Sequence, residues 1–199
     1  MLTLHRARLV LPDPAAAPSI TDGAVLVDGA VVAAVGPYAP VAGARVREWD
    51  GLLVPGLRNP AGHWLLEVAY HPDPREELGA EPLSADVPEE QRGPSARRGL
   101  QRMLGFGTTA VAGPFERAAV RTAVARSGLA ALPGDGREGG LDPLAGGGRL
   151  AELVHRPLAV GGPADFAVFD AASVAELEER GAGRCLATVL GGRLLYRRR

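Results

Sequence analysis

The chain contains no lysine: all 22 basic residues among its 199 are arginine. This excludes a Schiff-base lysine, a lysine carbamate bridging two metals and a Walker-type phosphate-binding lysine. Cys185 is the one cysteine, so the chain has no intramolecular disulfide and no multi-cysteine zinc site. Asn59 and Ile20 are each the only residue of their type, whereas alanine occurs 34 times. Codons for lysine, asparagine and isoleucine are AT-rich, which points to a high-GC bacterium. No apolar run approaches the roughly 20 residues that span a bilayer. The opening Met1–Arg6 lacks a basic stretch followed by an apolar one, so a cytoplasmic location without membrane attachment is expected. A net charge of −1 gives no general attraction to nucleic acid.

What is present is a globular composition, 46% hydrophobic with 27 glycines and 17 prolines. The first 55 residues predict strands. Leu2 to Leu11 alternates, Ala24–Val35 surrounds an Asp28-Gly29 turn, and Arg45–Val54 repeats the pattern around Asp50-Gly51. From Pro157 the pattern is again mainly β, with a strand at 165–169, a short helix at 172–180 capped by Ser173, and a Gly191-Gly192 hairpin. Between these blocks, residues 67–90 carry eight acids against one arginine and predict a solvated or mobile loop. A helix over 95–104 with Ser95 as its cap is followed by one βαβ unit: a strand at 108–112, a helix over 115–126 opened by Pro114 and a strand at 129–132. Residues 133–148 predict a glycine-rich loop and 149–154 a helical stub.

Several segments, in order, resemble the amidohydrolase superfamily. Leu52-Leu-Val-Pro-Gly-Leu-Arg-Asn-Pro-Ala-Gly-His63 is similar to its "V-x-P-G-L-[IV]-[DN]-x-H-x-H" signature, and Asp22–Gly36 to the hairpin before it. Leu104–Val111, Ala159–Asp170 and Thr188–Tyr196 resemble further motifs of the family. The likeness is nearest to the imidazolonepropionase and aminodeoxyfutalosine-deaminase type, whose signature can carry asparagine at the position of Asn59. It implies an α+β chain in which residues 1–55 and 157–199 form a discontinuous composite β-sandwich, with 56–156 as an incomplete, barrel-derived α/β insert. Gly56 to Val154 is only 99 residues, and a (β/α)₈ barrel takes about 250. The resemblance therefore implies a barrel that does not close.

The family holds a divalent metal with two histidines of that signature and further ligands from later strands. Alignment on Pro55-Gly56 puts Ala61 at the first histidine position and His63 at the second. No catalytic residue is assigned on this basis, and no cofactor is expected unless the chain is an enzyme. In that case zinc or another divalent metal would sit on His63, Glu67 and His71, which a helix would place on one face at i, i+4, i+8. The alternative is an amphipathic segment burying Trp64, Leu65, Val68 and Ala69, with His63, Glu67 and His71 facing solvent. Asp165 predicts a turn aspartate bonding backbone amides, Cys185 an inert buried thiol, Gly146–Arg149 a flexible connector, and Arg197–Arg199 an exposed tail. Arg92, Arg97, Arg98 and Arg102 are expected to pair with the acidic loop. The functional expectation is a non-catalytic amidohydrolase-like subunit that binds a small molecule or partners a full-length relative. The alternatives are a metal-dependent hydrolase or deaminase of non-peptide C–N bonds with a rebuilt or partner-completed site, and a structural subunit of a homo-oligomer; the expected partner is a second copy in a homodimer or a full-length relative.

Overall fold

The computed structural model describes residues 1–79, 81–84 and 87–198. In chain order the strands are β1 (Leu2–Val10), β2 (Ile20–Asp28), β3 (Val31–Pro37), β4 (Arg45–Pro55), β5 (Leu57–Asn59), β6 (Thr108–Ala112), β7 (Ala130–Leu132), β8 (Phe166–Phe169), β9 (Cys185–Leu190) and β10 (Arg193–Arg197). Four helices, α1 (Glu89–Leu104), α2 (Ala118–Ser127), α3 (Leu150–Leu153) and α4 (Val174–Arg180), lie between them.

Seven strands form one mixed sheet in the order β10-β9-β8-β4-β1-β2-β3. β4 is the seam. It runs parallel to β1 from Arg45 to Leu53 and antiparallel to β8 from Leu52 to Pro55, so the two ends of the chain share a sheet. The sheet curls on itself. Its interior holds Val10, Val25, Val27, Val32, Leu53, Phe166, Val168 and Val189, all buried. Its margins meet through hydrogen bonds from Val32 N to Gly162 O (2.9 Å), Ala164 N to Ala30 O (2.8 Å) and Gly192 N to Ala164 O (3.0 Å). The expected pair of facing sheets is thus a single continuous one, because β4 is long enough to pair with both blocks.

The smaller sheet is parallel, β5-β6-β7, with α1 between β5 and β6 and α2 between β6 and β7. α1 and α2 bury Leu100, Met103, Val120 and Val124 with Val111 of β6. A second cluster of Leu52, Val54, Leu57, Leu150, Leu153 and Phe169 joins the smaller sheet to the larger. Each such side chain stabilises the fold by about 2 kcal/mol when fully buried.

Local expectations hold at the hairpins and fail elsewhere for identifiable reasons. Gly29, Gly191 and Gly192 take positive φ of 60°, 54° and 70°, as the two tight turns require. Asp50-Gly51 is not a turn, since β4 runs straight through it. There the glycine admits a close approach: a Cβ on Gly51 would lie 2.2 Å from the Phe169 carbonyl oxygen. Helix α1 begins at Glu89 rather than Ser95 and continues through Pro94, and the Ser95 hydroxyl instead accepts from the His71 backbone N–H at 2.9 Å. Helix α2 starts three residues later than expected, at Ala118. Ser173 caps α4 as expected, accepting from Glu176 N at 3.2 Å.

The acidic stretch is largely ordered by contacts rather than a free loop. It contains a π-helical turn (Trp64–Val68), a 3-10 turn (Pro74–Glu76) closed by a capping box from Asp73, and a Tyr70–Leu83 bridge. The part of that expectation falling on Ala80, Ala85 and Asp86 lies outside the described residues. Arginines of α1 hold the stretch partly through carbonyls: Arg98 binds His71 O (2.7 Å), Arg102 binds Pro72 O (3.2 Å) and Arg92 binds Val68 O (3.1 Å). Arg98 also pairs with Asp73 at 3.5 Å, as expected of this helix. Arg197 is no tail residue but the last of β10, and Arg198 donates to the Gly183 carbonyl; Arg199 lies outside the described residues.

Candidate functional site at the strand ends

Parallel strands end together, and the loops leaving their carboxyl ends converge on one side of a sheet, where backbone groups are unpaired and ligands bind. Here those ends are Asn59, Ala112 and Leu132, followed by Pro60–His63, Gly113–Phe115 and the 133–148 loop.

Asn59 is wholly buried and acts as a latch. Its Nδ2 donates to Gly140 O (3.1 Å) and Leu141 O (3.2 Å), and its Oδ1 accepts from Ala61 N (2.9 Å). The loop it holds packs onto Ala61, the position where the family signature has its first histidine. A Cβ on Gly139 would stand 2.8 Å from the Ala61 Cβ. There is no room for an imidazole at residue 61 without moving that loop.

The trio of candidate ligands is not gathered. The segment after His63 is a π-helical turn that ends in extended backbone at Ala69, so the face an α-helix would give to residues 63, 67 and 71 does not exist. His63 stays at the strand ends. Its Nδ1 lies 2.7 Å from the Pro114 carbonyl, which can only accept, so Nδ1 carries the proton and Nε2 is the free lone pair. Glu67 is buried and caps α2. Its Oε1 accepts from Glu116 N (2.7 Å) and Arg117 N (2.9 Å), and Arg117 Nε is 3.4 Å from Oε2. His71 is fully buried, its Nε2 donating to Leu65 O at 2.8 Å and its Nδ1 lying 3.4 Å from Arg102. Burial first, then the Arg102 and Arg98 cations, push its pKa down to about 4 against the opposing Leu65 hydrogen bond. Among the described residues, no three histidine, cysteine or carboxylate side chains come close enough to hold a metal. The donor set present here does not fit a hydrolytic metal.

The other candidates occupy structural positions. Asp165 accepts from Gly191 N at 2.7 Å and ties β8 to the β9–β10 hairpin. Cys185 is buried, and burial pushes its thiol up to about 11 despite contacts with Thr188 Oγ1 and Ala187 O, both at 3.4 Å. It is an inert thiol at neutral pH.

What remains at the strand ends is a cleft of about 350 Å³ between Arg58–Ala61 and the glycine-rich loop up to Leu153. Arg58, Arg137 and Arg149 line it together with Glu138, Asp142 and Glu152. Asp142 is engaged: its Oδ1 accepts from Leu144 N (2.8 Å) and Ala182 N (3.0 Å). Arg137 pairs with Asp135 at 2.7 Å. Arg58 bonds only the Glu152 carbonyl, at 3.4 Å, and the Glu138, Arg149 and Glu152 side chains make no ion pair among the described residues. Two available guanidinia and two available carboxylates therefore face one polar cavity. In the sequence Gly146–Arg149 reads as a connector, and Arg58, Glu138 and Glu152 do not stand out. Nothing in their local pattern marks them, since three separate segments bring them together.

No family model and no curated protein matches the chain. Solved structures similar to it include an ochratoxinase from A. niger, with 18% identity and a TM-score of 0.46 over 66% of this chain and 30% of that one. Others are an adenosine deaminase from Xanthomonas campestris with bound Zn (25%, 0.46, 65% and 33%) and a triazine hydrolase from Arthobacter aurescens (20%, 0.48, 65% and 34%). These are amidohydrolase-superfamily structures, and the matched part of this chain spans about a third of their length. TM-scores below 0.5 describe a partial likeness of fold.

Proposed function

We propose that this is an amidohydrolase-type protein of the imidazolonepropionase kind that does not itself hydrolyse C–N bonds and instead binds a small zwitterionic molecule at the strand ends. In this reading residues 1–55 and 157–199 are the composite β domain, and 56–156 is a shortened barrel. The segment between Pro55 and Phe166 is bounded by residues that pair with each other, and among its described residues it supplies three parallel strands, whereas a closed barrel needs eight. The observation that carries the reading is the filling of the first ligand position by Ala61 against Gly139, with Glu67 and His71 held in structural hydrogen bonds. The balanced charges of the cleft favour a ligand bearing both signs.

The test is a calorimetric titration with a panel of zwitterionic amino acids. Saturable binding to the intact protein, weakened about tenfold (1.4 kcal/mol) in Arg149→Gln and in Glu152→Gln, supports the proposal. Binding of none of the panel, or affinities equal in all three proteins, overturns it. A second reading, a metal site completed by a partner chain, rests on His63 alone: its fixed tautomer leaves Nε2 as a free donor at the strand ends.

A further inference from the structure

The interior of the curled sheet is apolar except at one end. Trp49 packs against that interior, and alternation along the first half of β4 puts Arg45 and Arg47 on the same face as Trp49. Their neighbours on β1 are Thr3, His5 and Ala7, all buried. The acids of β4 fall on the opposite side and are already paired: Glu48 with Arg6 at 3.1 Å and Asp50 with Arg8 at 3.5 Å. β8 pairs only with Leu52–Pro55 and leaves the first half of β4 uncovered on that side. Into this gap reaches Arg197 from the end of β10, its guanidinium carbon 5.6 Å from the Trp49 ring centroid.

Trp49 is itself fixed. Its Nε1 donates to His5 Nδ1 at 3.3 Å, and the two rings stack at 6.2 Å between centroids. The arrangement leaves three guanidinia without a counter-charge: among the described residues, Arg45, Arg47 and Arg197 make no hydrogen bond or ion pair with a carboxylate. Arg47 is half-buried, and burial first, then the neighbouring Arg45 and Arg197 cations, pull it below the ordinary guanidinium range. Arg45 and Arg197 are exposed and Arg47 is half-buried, so three cations of one sign repel one another at this edge and Arg47 also loses hydration. An oxyanion offsets both costs, and planar guanidinia are well suited to bind one.

We propose that Arg45, Arg47 and Arg197 form a receptor for a phosphate-type oxyanion at the open end of the curled sheet, separate from the strand-end cleft. The shared chemistry is the tetrahedral dianion, whether free phosphate or the phosphoryl group of a small organic monoester. The site does not depend on the strand-end reading, and its failure would leave that reading untouched.

The experiment is calorimetry of the intact protein in low-salt, phosphate-free buffer with inorganic phosphate, pyrophosphate and phenyl phosphate as probes. The expected result is one saturable site for at least one probe, with affinity falling at least tenfold in Arg47→Gln and in Arg197→Gln. Arg184→Gln, which removes the same charge from a guanidinium paired with Asp170 elsewhere, should bind as the parent does. Tighter binding of phenyl phosphate than of phosphate would identify an organic monoester as the natural class, and the reverse a free anion. Arg197 is exposed, so its variant keeps the test valid if Arg47→Gln fails to fold. Absence of saturable binding for all three probes, or equal affinities in the parent, Arg197→Gln and Arg184→Gln, would overturn the proposal.

Discussion

Two histidines set how this protein responds to acid. His5 is buried between Trp49 and Phe166, and His71 is buried against α1. Burial is the main cause that pushes each pKa down to about 4, from 6.5 in the unfolded chain. The folded state therefore binds fewer protons than the unfolded state between those values. The stability from keeping the rings neutral is fully present above about pH 6.5 and is lost as pH falls toward 4. By linkage each ring accounts for up to about 3 kcal/mol across that window. Urea unfolding at pH 7 and at pH 4.5 should show a large drop in midpoint, and His5→Phe, which removes one of the two most strongly shifted rings, should show a clearly smaller one. An unchanged midpoint between the two pH values would mean that both rings are hydrated or already charged.

Elements reveal their turns in sequence better than their neighbours. Asp28-Gly29 and Asp50-Gly51 are the same dipeptide between β-rich runs, yet the first is a hairpin turn and the second lies within β4. Turn chemistry is local, so the first was legible. The second glycine answers to Phe169, more than a hundred residues away, and no local pattern carries that information. The same limit hid the start of α1: Ser95 reads as a cap, but the helix begins at Glu89 and runs through Pro94, whose ring forgoes the bond to the Glu90 carbonyl, and the Ser95 hydroxyl is taken by the distant His71 N–H. It also hid the cap of α2, which comes from Glu67 rather than from a neighbouring residue. Gly51→Ala tests the account of β4 directly. Its Cβ would press on a backbone oxygen that cannot rotate away, so a loss of about 3 kcal/mol or more in urea unfolding is expected. A loss below about 0.5 kcal/mol, the size of an ordinary surface substitution, would mean that β4 and β8 are not so closely paired.

At the scale of the whole molecule, a curled seven-stranded sheet is joined by apolar clusters to a three-stranded parallel sheet. The strand blocks at both ends were readable from alternation and turn residues. The candidate site was readable only in part. His63 lies where the signature places it, but Glu67 and His71 shared a face only under the assumption of an α-helix, and the π-helical turn removed it. The cleft of Arg58, Glu138, Arg149 and Glu152 and the arginine group of β4 and β10 both depend on side chains meeting across distant segments. We propose that His63, Glu67 and His71 build no hydrolytic metal site, because Glu67 and His71 are held in structural hydrogen bonds. Metal analysis of protein purified without chelator tests it most directly, comparing the parent with His63→Ala. The account predicts far less than one zinc or iron per chain, with no difference between the two proteins. One equivalent of either metal in the parent, lost in His63→Ala, would contradict it.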